Sequence, residues 1–243
     1  MEHGAQTLAN PEKHLWRAIS AARIEHSPFA HAFVGGAFPE PYYCDMLRYF
    51  PDSDALVSNS EAGRGNQLQA RFVFEIKDDY LDSLPELQRK FWHKLGTWIL
   101  GKELRTCVLD KFSEQVGVRF PHSRSVDFYS DAVLVEDHTT HSMGPHTDHP
   151  RKAVTLLFYL PTDQSQFHMG TSIFMPKDRT FECSGLAHHS FEKFDEVRSF
   201  PFVPNALFMF AKTGNSFHGL APVVDPNARR RLLMLNINVR NSP

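Results

Sequence analysis

The chain has 243 residues, and 26 Lys+Arg against 28 Asp+Glu give a formal net charge of -2. So even a balance supplies neither a basic field for nucleic acid nor an acidic tail, and the Arg229-Arg230-Arg231 run reads as a local cluster; no nucleic-acid partner is expected. With 42% hydrophobic residues the chain can bury a sizeable core, and its length suits one domain over 1–243. No apolar run approaches the ~18–20 residues that span a bilayer, and the start, MEHGAQTLANPEKHLW, has neither a basic nor an apolar leader region. A cytoplasmic protein with no membrane partner is therefore expected. Cys44, Cys107 and Cys183 are odd in number and include no Cys-x-x-Cys pair, which fits reduced thiols rather than a disulfide framework or zinc knuckle.

In chain order, residues 1–11 are polar and read as a frayed start. Leu15, Ile19 and Ala22 then recur at helical spacing from Pro11, with Trp16 beside them. PFAHAFV at 28–34 alternates like a strand and is broken by Gly35-Gly36. A short helix after Pro41 carries Tyr43, Met46, Leu47 and Phe50 on one side. Residues 52–70 are polar, with Gly63 and Gly65, and read as a loop that is either a lid or an ordinary surface connection. RFVFEI at 71–76 predicts a strand. A long helix begins near Pro85, a favoured first-turn residue, with Leu87, Phe91, Leu95, Trp98 and Ile99 as its apolar stripe. A second helix after Gly101 carries Leu104, Val108 and Phe112. This aromatic spacing is that of a packed core, not of a cofactor box.

From about residue 126 the texture changes to short β-rich runs separated by turn residues: AVLVE (132–136), KAVTLLFYL (152–160), TSIFM (171–175), RSFPFV (198–203), ALFMF (206–210) and RLLMLNINV (231–239). Strands at this spacing suggest a sandwich or barrel. The fold class is α+β, with a helical N-terminal part over about 1–125 buttressing a β core over about 126–240.

The densest polar cluster is HTTHSMGPHTDHP at 138–150, just before KAVTLLFYL. In an extended segment His146 and Asp148 project to the same face, so both can bind one metal. His218, in GNSFHGLAP after the apolar run ALFMF, is the best third ligand. Two histidines and one carboxylate on one face of an octahedral metal leave three positions open, the pattern of non-haem Fe(II) oxygenases. His-x-Asp alone recurs by chance, and a lone histidine such as His218 is more often structural. The downstream arginines bear on this. A cosubstrate such as 2-oxoglutarate would need a cation for its far carboxylate, and arginine's planar fork suits one. By period two, Arg230 shares a face with Leu232, Met234, Asn236 and Asn238, whereas Arg231 shares the other with Leu233, Leu235 and Ile237. The asparagines belong with a wet site, so Arg230 is chosen and Arg231 held in reserve; a solvated arginine turn is the bland alternative.

The run GPHTDHPRKAVTLLFYLP, then GTSIF at 170–174, PNALFMFAKTGNSFHGLAPV and RRRLLMLNINVR, resembles the double-stranded β-helix (jelly-roll, cupin-like) core of the Fe(II)/2-oxoglutarate oxygenases, in particular their small bacterial, prolyl-hydroxylase-like branch, which is related to amino-acid hydroxylases and halogenases. SPFAHAFVGGAFPEPYYCDMLRYFP at 27–51 resembles the segment preceding such cores, so the likeness covers most of 27–240. It implies iron ligands His146, Asp148 and His218, with Arg230 or Arg231 on 2-oxoglutarate and O₂ as co-reactant. It also implies hydroxylation of an unactivated C–H with release of succinate and CO₂. Halogenating members lack the acidic ligand; Asp148 is present, which implies hydroxylation or another C–H oxidation instead. Where this branch often carries a tyrosine before the His-x-Asp, His141 stands instead.

A metallo-β-lactamase-type zinc hydrolase needs a histidine at 144, where Gly144 stands. A non-catalytic β-barrel metal- or ligand-binding module is the rival of another class. The expected substrate is a small polar metabolite such as a free amino acid, with a protein side chain or carrier-bound group as alternatives and a homodimer left open. Asn236, Asn238 and Arg71 are the candidate substrate contacts; Arg71 would suit an anion. His149 beside the triad could orient substrate, and His122, His138, His168, His188 and His189 read as surface or supporting residues.

Overall fold

A computed structural model describes residues 10–64, 70–121, 126–185 and 187–240. The polar start before Asn10, His122 and residues 65–69 of the Gly-containing loop fall outside them. Helix α1 (Pro11–Ala21) opens with Asn10, whose side chain accepts from the Lys13 N–H and so satisfies one of the unpaired donors of the first turn. Leu15 and Ile19 are its buried stripe. Then follow β1 (His31–Gly35), α2 (Glu40–Arg48), β2 (Val57–Ser58), β3 (Arg71–Glu75), α3 (Asp78–Leu81), α4 (Glu86–Ile99), α5 (Lys102–Lys111) and α6 (Ser113–Arg119).

The β-rich part comprises β4 (Phe128–Asp137), β5 (Met143–His146), β6 (Lys152–Tyr159), β7 (Ser172–Pro176), β8 (Phe194–Ser199), β9 (Ala206–Ala211), β10 (His218–Leu220) and β11 (Arg230–Val239). Among the described residues, the strands form a seven-stranded sheet, β1-β9-β6-β11-β4-β3-β2, and a four-stranded sheet, β5-β10-β7-β8. Every pairing is antiparallel. The architecture is α+β, with N-terminal helices against a core of two antiparallel sheets consistent with a double-stranded β-helix.

Period-two alternation gives the larger sheet two apolar faces. Leu233, Leu235 and Ile237 of β11 join Leu134, Leu156, Phe158 and Met209 in one cluster with Leu15, Met46, Trp92, Leu95, Leu104 and Val108 of the helices. The opposite face carries Val133, Val135, Leu157, Tyr159, Phe208 and Leu232, which pack with Ile173 and Leu220 of the smaller sheet. The helices thus cover one side and the second sheet the other.

Several details differ from the sequence reading. In α4 Leu95 and Ile99 are buried as the spacing predicts, with Trp92 and Gly96 beside them, while Phe91 and Trp98 are only partly buried and Leu87 is 65% exposed. The 52–70 stretch is partly regular, with a 3-10 turn at Ser53–Ala55 and β2 paired to β3. The helix after Gly101 breaks at Phe112 into α5 and α6. RSFPFV is displaced upstream: β8 ends at Ser199 before Pro201, which has no N–H for a ladder, and Phe200 and Phe202 are buried instead. The sequence reading also passed over α3, β5 and β10. Cys44, Cys107 and Cys183 form no disulfide, and no described helix is long and apolar enough to cross a membrane.

Leu235 is buried on the helix side of β11, so Leu235→Ala is expected to lower stability by about 2–5 kcal/mol in denaturant unfolding. It should leave the residues of the opposite face in place.

Candidate metal centre and its cavity

His146 and His218 lie far apart in the chain but directly opposite each other, in the antiparallel register of β5 and β10. Their ring centroids are 4.3 Å apart. Within β5, Gly144 lets the backbone of His189 approach closely beside this pair: a Cβ there would sit 2.4 Å from the His189 carbonyl oxygen. Asp148 follows β5 and reaches across to the larger sheet. Its Oδ2 accepts from Thr155 Oγ1 at 2.6 Å, and its Oδ1 from Lys152 Nζ at 2.8 Å, both on β6. Nitrogen atoms of the two imidazoles and an oxygen of the carboxylate all lie within 4.8 Å of one another, and all three residues are buried. The structure therefore brings together the three residues selected from sequence, one sheet supplying the histidines and the other the supports of the carboxylate.

Protonation follows from the hydrogen bonds. His146 Nδ1 is 3.0 Å from the Gly144 carbonyl and His218 Nδ1 3.0 Å from the Ser216 carbonyl. A carbonyl only accepts, so each Nδ1 carries the proton, and in the neutral ring Nε2 is left with its lone pair. Burial holds His218 below the ordinary imidazole value; burial and the neighbouring His218 hold His146 well below it. For Asp148, burial alone would raise the carboxyl, but the Lys152 ammonium with its hydrogen bond foremost outweighs it and holds the group below the usual carboxylate range. Two neutral imidazoles with free Nε2 atoms and one carboxylate are a donor set that fits a divalent transition metal.

The three residues open on a cavity of about 600 Å³ between the sheets. Its floor is the inward face of the larger sheet, arranged in rows about 6.7 Å apart along the strands. The first row is Arg230, Asp137 and Arg71. Tyr159, Leu232, Val135 and Val73 follow, then Leu157, Met234 and Val133. Beyond this apolar belt come Thr155, Asn236 and Asp131, then Lys152 and Asn238. The triad stands over the Thr155 row, with His218 against the ring of Phe210 at 4.4 Å.

Arg230 and Arg71 meet on one buried carboxylate. Asp137 accepts from Arg71 Nε at 2.6 Å and Nη2 at 2.9 Å, and from Arg230 Nη1 at 2.9 Å. Arg230 Nε also donates to the Met169 carbonyl, and its guanidinium lies 4.8 Å from the Phe202 ring. Burial would raise the Asp137 carboxyl; Arg71, His141 and Arg230 overcome it and hold it below the usual carboxylate range. His141, where a tyrosine had been the pattern, stands 3.4 Å from Asp137. Arg231 is not brought to the cavity. It points from the other face of β11, donating to Glu136 at 2.7 Å and lying over Phe50, because adjacent strand residues face opposite ways.

Asn236 and Asn238 line the cavity, both donating to Asp131. Arg71 lines it as well but is committed to Asp137, which leaves it beside Arg230 instead of among the outer polar residues. His149 and His188 line the opening, His188 with its ring 4.5 Å from that of His146. Sequence reasoning passed over Asp131, Asp137, Lys152 and Thr155. The two aspartates had a legible signal: in DAVLVED they close each end of an alternating apolar run on one face. Thr155, inside KAVTLLFYL, had none.

Two outcomes are expected. The folded state resists protonating His146 and His218, whereas the unfolded chain takes up protons near the ordinary value of 6.5. The unfolded state therefore binds more protons in that range, and the metal-free protein loses stability as pH falls below about 6.5, by up to ~1.4 kcal/mol per pH unit and histidine. Melting temperatures across pH 5–8, with and without Zn(II), measure this, and a flat metal-free profile would contradict it. Thr155→Val removes one support of Asp148 and should weaken metal binding about 10-fold in a competition assay with a chelating dye.

No protein-family model matches the chain, and no curated protein matches it in sequence. Solved structures do resemble it. A Pseudomonas putida prolyl-4-hydroxylase aligns over 93% of this chain and 100% of its own, at 13% identity and a TM-score of 0.54. A Trichoplax adhaerens prolyl hydroxylase in complex with a hypoxia inducible factor peptide aligns over 93% and 88%, at 12% identity and 0.52. The non-haem α-ketoglutarate-dependent carbocyclase SnoK of nogalamycin biosynthesis aligns over 94% and 86%, at 10% identity and 0.50. These neighbours span hydroxylases and a carbocyclase, so the likeness stands at the level of fold: the chain shares the double-stranded β-helix fold of these proteins.

Proposed function

We propose that this chain is a non-haem Fe(II)- and 2-oxoglutarate-dependent dioxygenase that hydroxylates an unactivated C–H of a small polar metabolite. The observation that carries the reading is a joint one. Two imidazoles presenting Nε2 and one ionised carboxylate converge on the same cavity that holds a buried guanidinium at its far end. In this reading His146, Asp148 and His218 hold the iron, and Arg230 holds the far carboxylate of 2-oxoglutarate. Iron with 2-oxoglutarate and O₂ supplies the oxidant; overall, C–H, 2-oxoglutarate and O₂ become C–OH, succinate and CO₂.

The chain's own part is positioning. Lys152 and Thr155 each occupy one oxygen of Asp148, which fixes its plane and keeps it ionised while leaving lone pairs for a metal. At the deep end, two guanidinia share the single carboxylate of Asp137. One positive charge is left over there, matched to one incoming carboxylate, and the planar fork of Arg230 can receive it. The apolar belt of Leu157, Leu232 and Met234 between these ends keeps water from the reacting region. A cavity of about 600 Å³ is in the range of small-molecule sites.

Succinate release is the test, with Fe(II), 2-oxoglutarate and a metabolite panel. Turnover stimulated by at least one substrate is expected, with Asp148→Ala abolishing it. Arg230→Ala should raise the KM for 2-oxoglutarate by about 10–100-fold, and Arg230→Lys should restore it only in part, because a point charge lacks the fork. Absence of Fe(II) binding together with no stimulated turnover would sink the proposal.

A further inference from the structure

The outer end of the cavity carries a second polar group that the metal centre does not use. Asp131 stands at an inward position of β4, on the face that also bears Val133 and Val135, with 35% of its side chain exposed. Asn236 Nδ2 donates to its Oδ1 at 2.8 Å, and Asn238 Nδ2 to its Oδ2 at 2.5 Å. These bonds fix which way Asn236 lies. A carboxylate only accepts, so the amide NH₂ must face it and the amide oxygen must point elsewhere. That oxygen is buried and accepts from no protein donor among the described residues, in a residue only 1% exposed on the cavity wall. Among the described residues, Arg64 is the cation paired with Asp131. It is engaged with Glu75 at 3.1 Å and stands 3.6 Å from Asp131 Oδ1, beyond hydrogen-bonding length. The Asn236 oxygen is therefore an acceptor without a donor, beside a carboxylate on the same cavity wall.

The geometry points to this corner as the binding site for a protonated amine of the substrate. An ammonium brings three donors and one positive charge, so it can satisfy the Asp131 carboxylate and the Asn236 oxygen together. A carboxylate or phosphate placed there would set a second negative charge against Asp131 and bring no donor for the Asn236 oxygen, and a hydroxyl would bring one donor for two acceptors. The position is also right for chemistry at the triad. Asn236 lies directly opposite Thr155, whose hydroxyl donates to Asp148, and adjacent strands are about 4.8 Å apart. An amine held at Asn236 puts a carbon a few bonds away beside the metal centre. The inference rests on the oxygenase reading and narrows its substrate to small amines oxidised near, but not at, the nitrogen.

The test reads binding rather than turnover. The full chain, loaded with Ni(II) and 2-oxoglutarate, is titrated calorimetrically with the standard amino acids and simple primary amines, and with the N-acetyl counterpart of each. At least one amine should bind, its N-acetyl form at least about tenfold more weakly. Asp131→Asn should weaken the amine by a similar factor and leave the 2-oxoglutarate Kd unchanged, which also reports that the variant is folded. The matched pairs on the unaltered chain need no variant. Equal binding of amine and N-acetyl forms, preference for simple carboxylates, or no amine bound by protein that holds Ni(II) and 2-oxoglutarate would overturn the inference alone. Failure to take up Ni(II) and 2-oxoglutarate would instead overturn the oxygenase reading, and this narrower one with it.

Discussion

A strand hydrogen-bonded on both sides cannot slip, and β11 is such a strand. It pairs with β4 over all ten residues from Arg230 to Val239 and with β6 over most of them. A shift of one residue would send Leu233, Leu235 and Ile237 into the polar cavity and bury Arg230, Asn236 and Asn238 against the helices. The aliphatic row packed under α1, α2, α4 and α5 thus sets the register that aims the polar row at the site. Core and cavity are specified by one alternation, which is how these four helices bear on the centre, while α6 reaches it directly through Arg119 on the Pro150 and Lys152 carbonyls.

The two ends of the cavity handle buried charge in opposite ways. A buried ion is costly unless it is paired and hydrogen-bonded. At the triad, one carboxylate is held by a lysine and a threonine while both imidazoles stay neutral, so the donor set suits a cation. At the deep end, two arginines converge on Asp137 alone, so the surplus charge suits an anion. Asp137 also explains how Arg230 can be buried before any ligand arrives: it is partly neutralised, braced by the Met169 carbonyl, and stacked near Phe202.

Much of this was legible in the chain. The alternation of RLLMLNINV separated Arg230 from Arg231, and the 146/148 spacing with a later His218 selected the triad. What the sequence could not display were partners created by register. Lys152 and Thr155 reach Asp148 only because the chain turns back after β5 into β6, and Asp137 meets Arg71 and Arg230 only across two strand pairings. Trp92 was passed over because its neighbour Phe91 fits the same apolar stripe by spacing; packing buries Trp92 fully beside Leu95 and Ile99 and leaves Phe91 only partly buried. β10 was invisible for a simpler reason: three residues are too few to show a period.

The rows of the sheet also bear on selectivity. From Arg230 to Asn236 is six residues of one strand, about 20 Å of backbone at 3.3–3.4 Å per residue. The proposed cosubstrate anchor and the proposed amine site are therefore fixed at two points of the same strand, while two of the three proposed metal ligands come from the facing sheet. A loop-borne site could shift one anchor independently of the other, but here the spacing is that of a paired β-strand. On the proposed reading, which C–H is oxidised is set by the number of bonds between it and the amine, because the structure holds the nitrogen's position and the metal's in one frame.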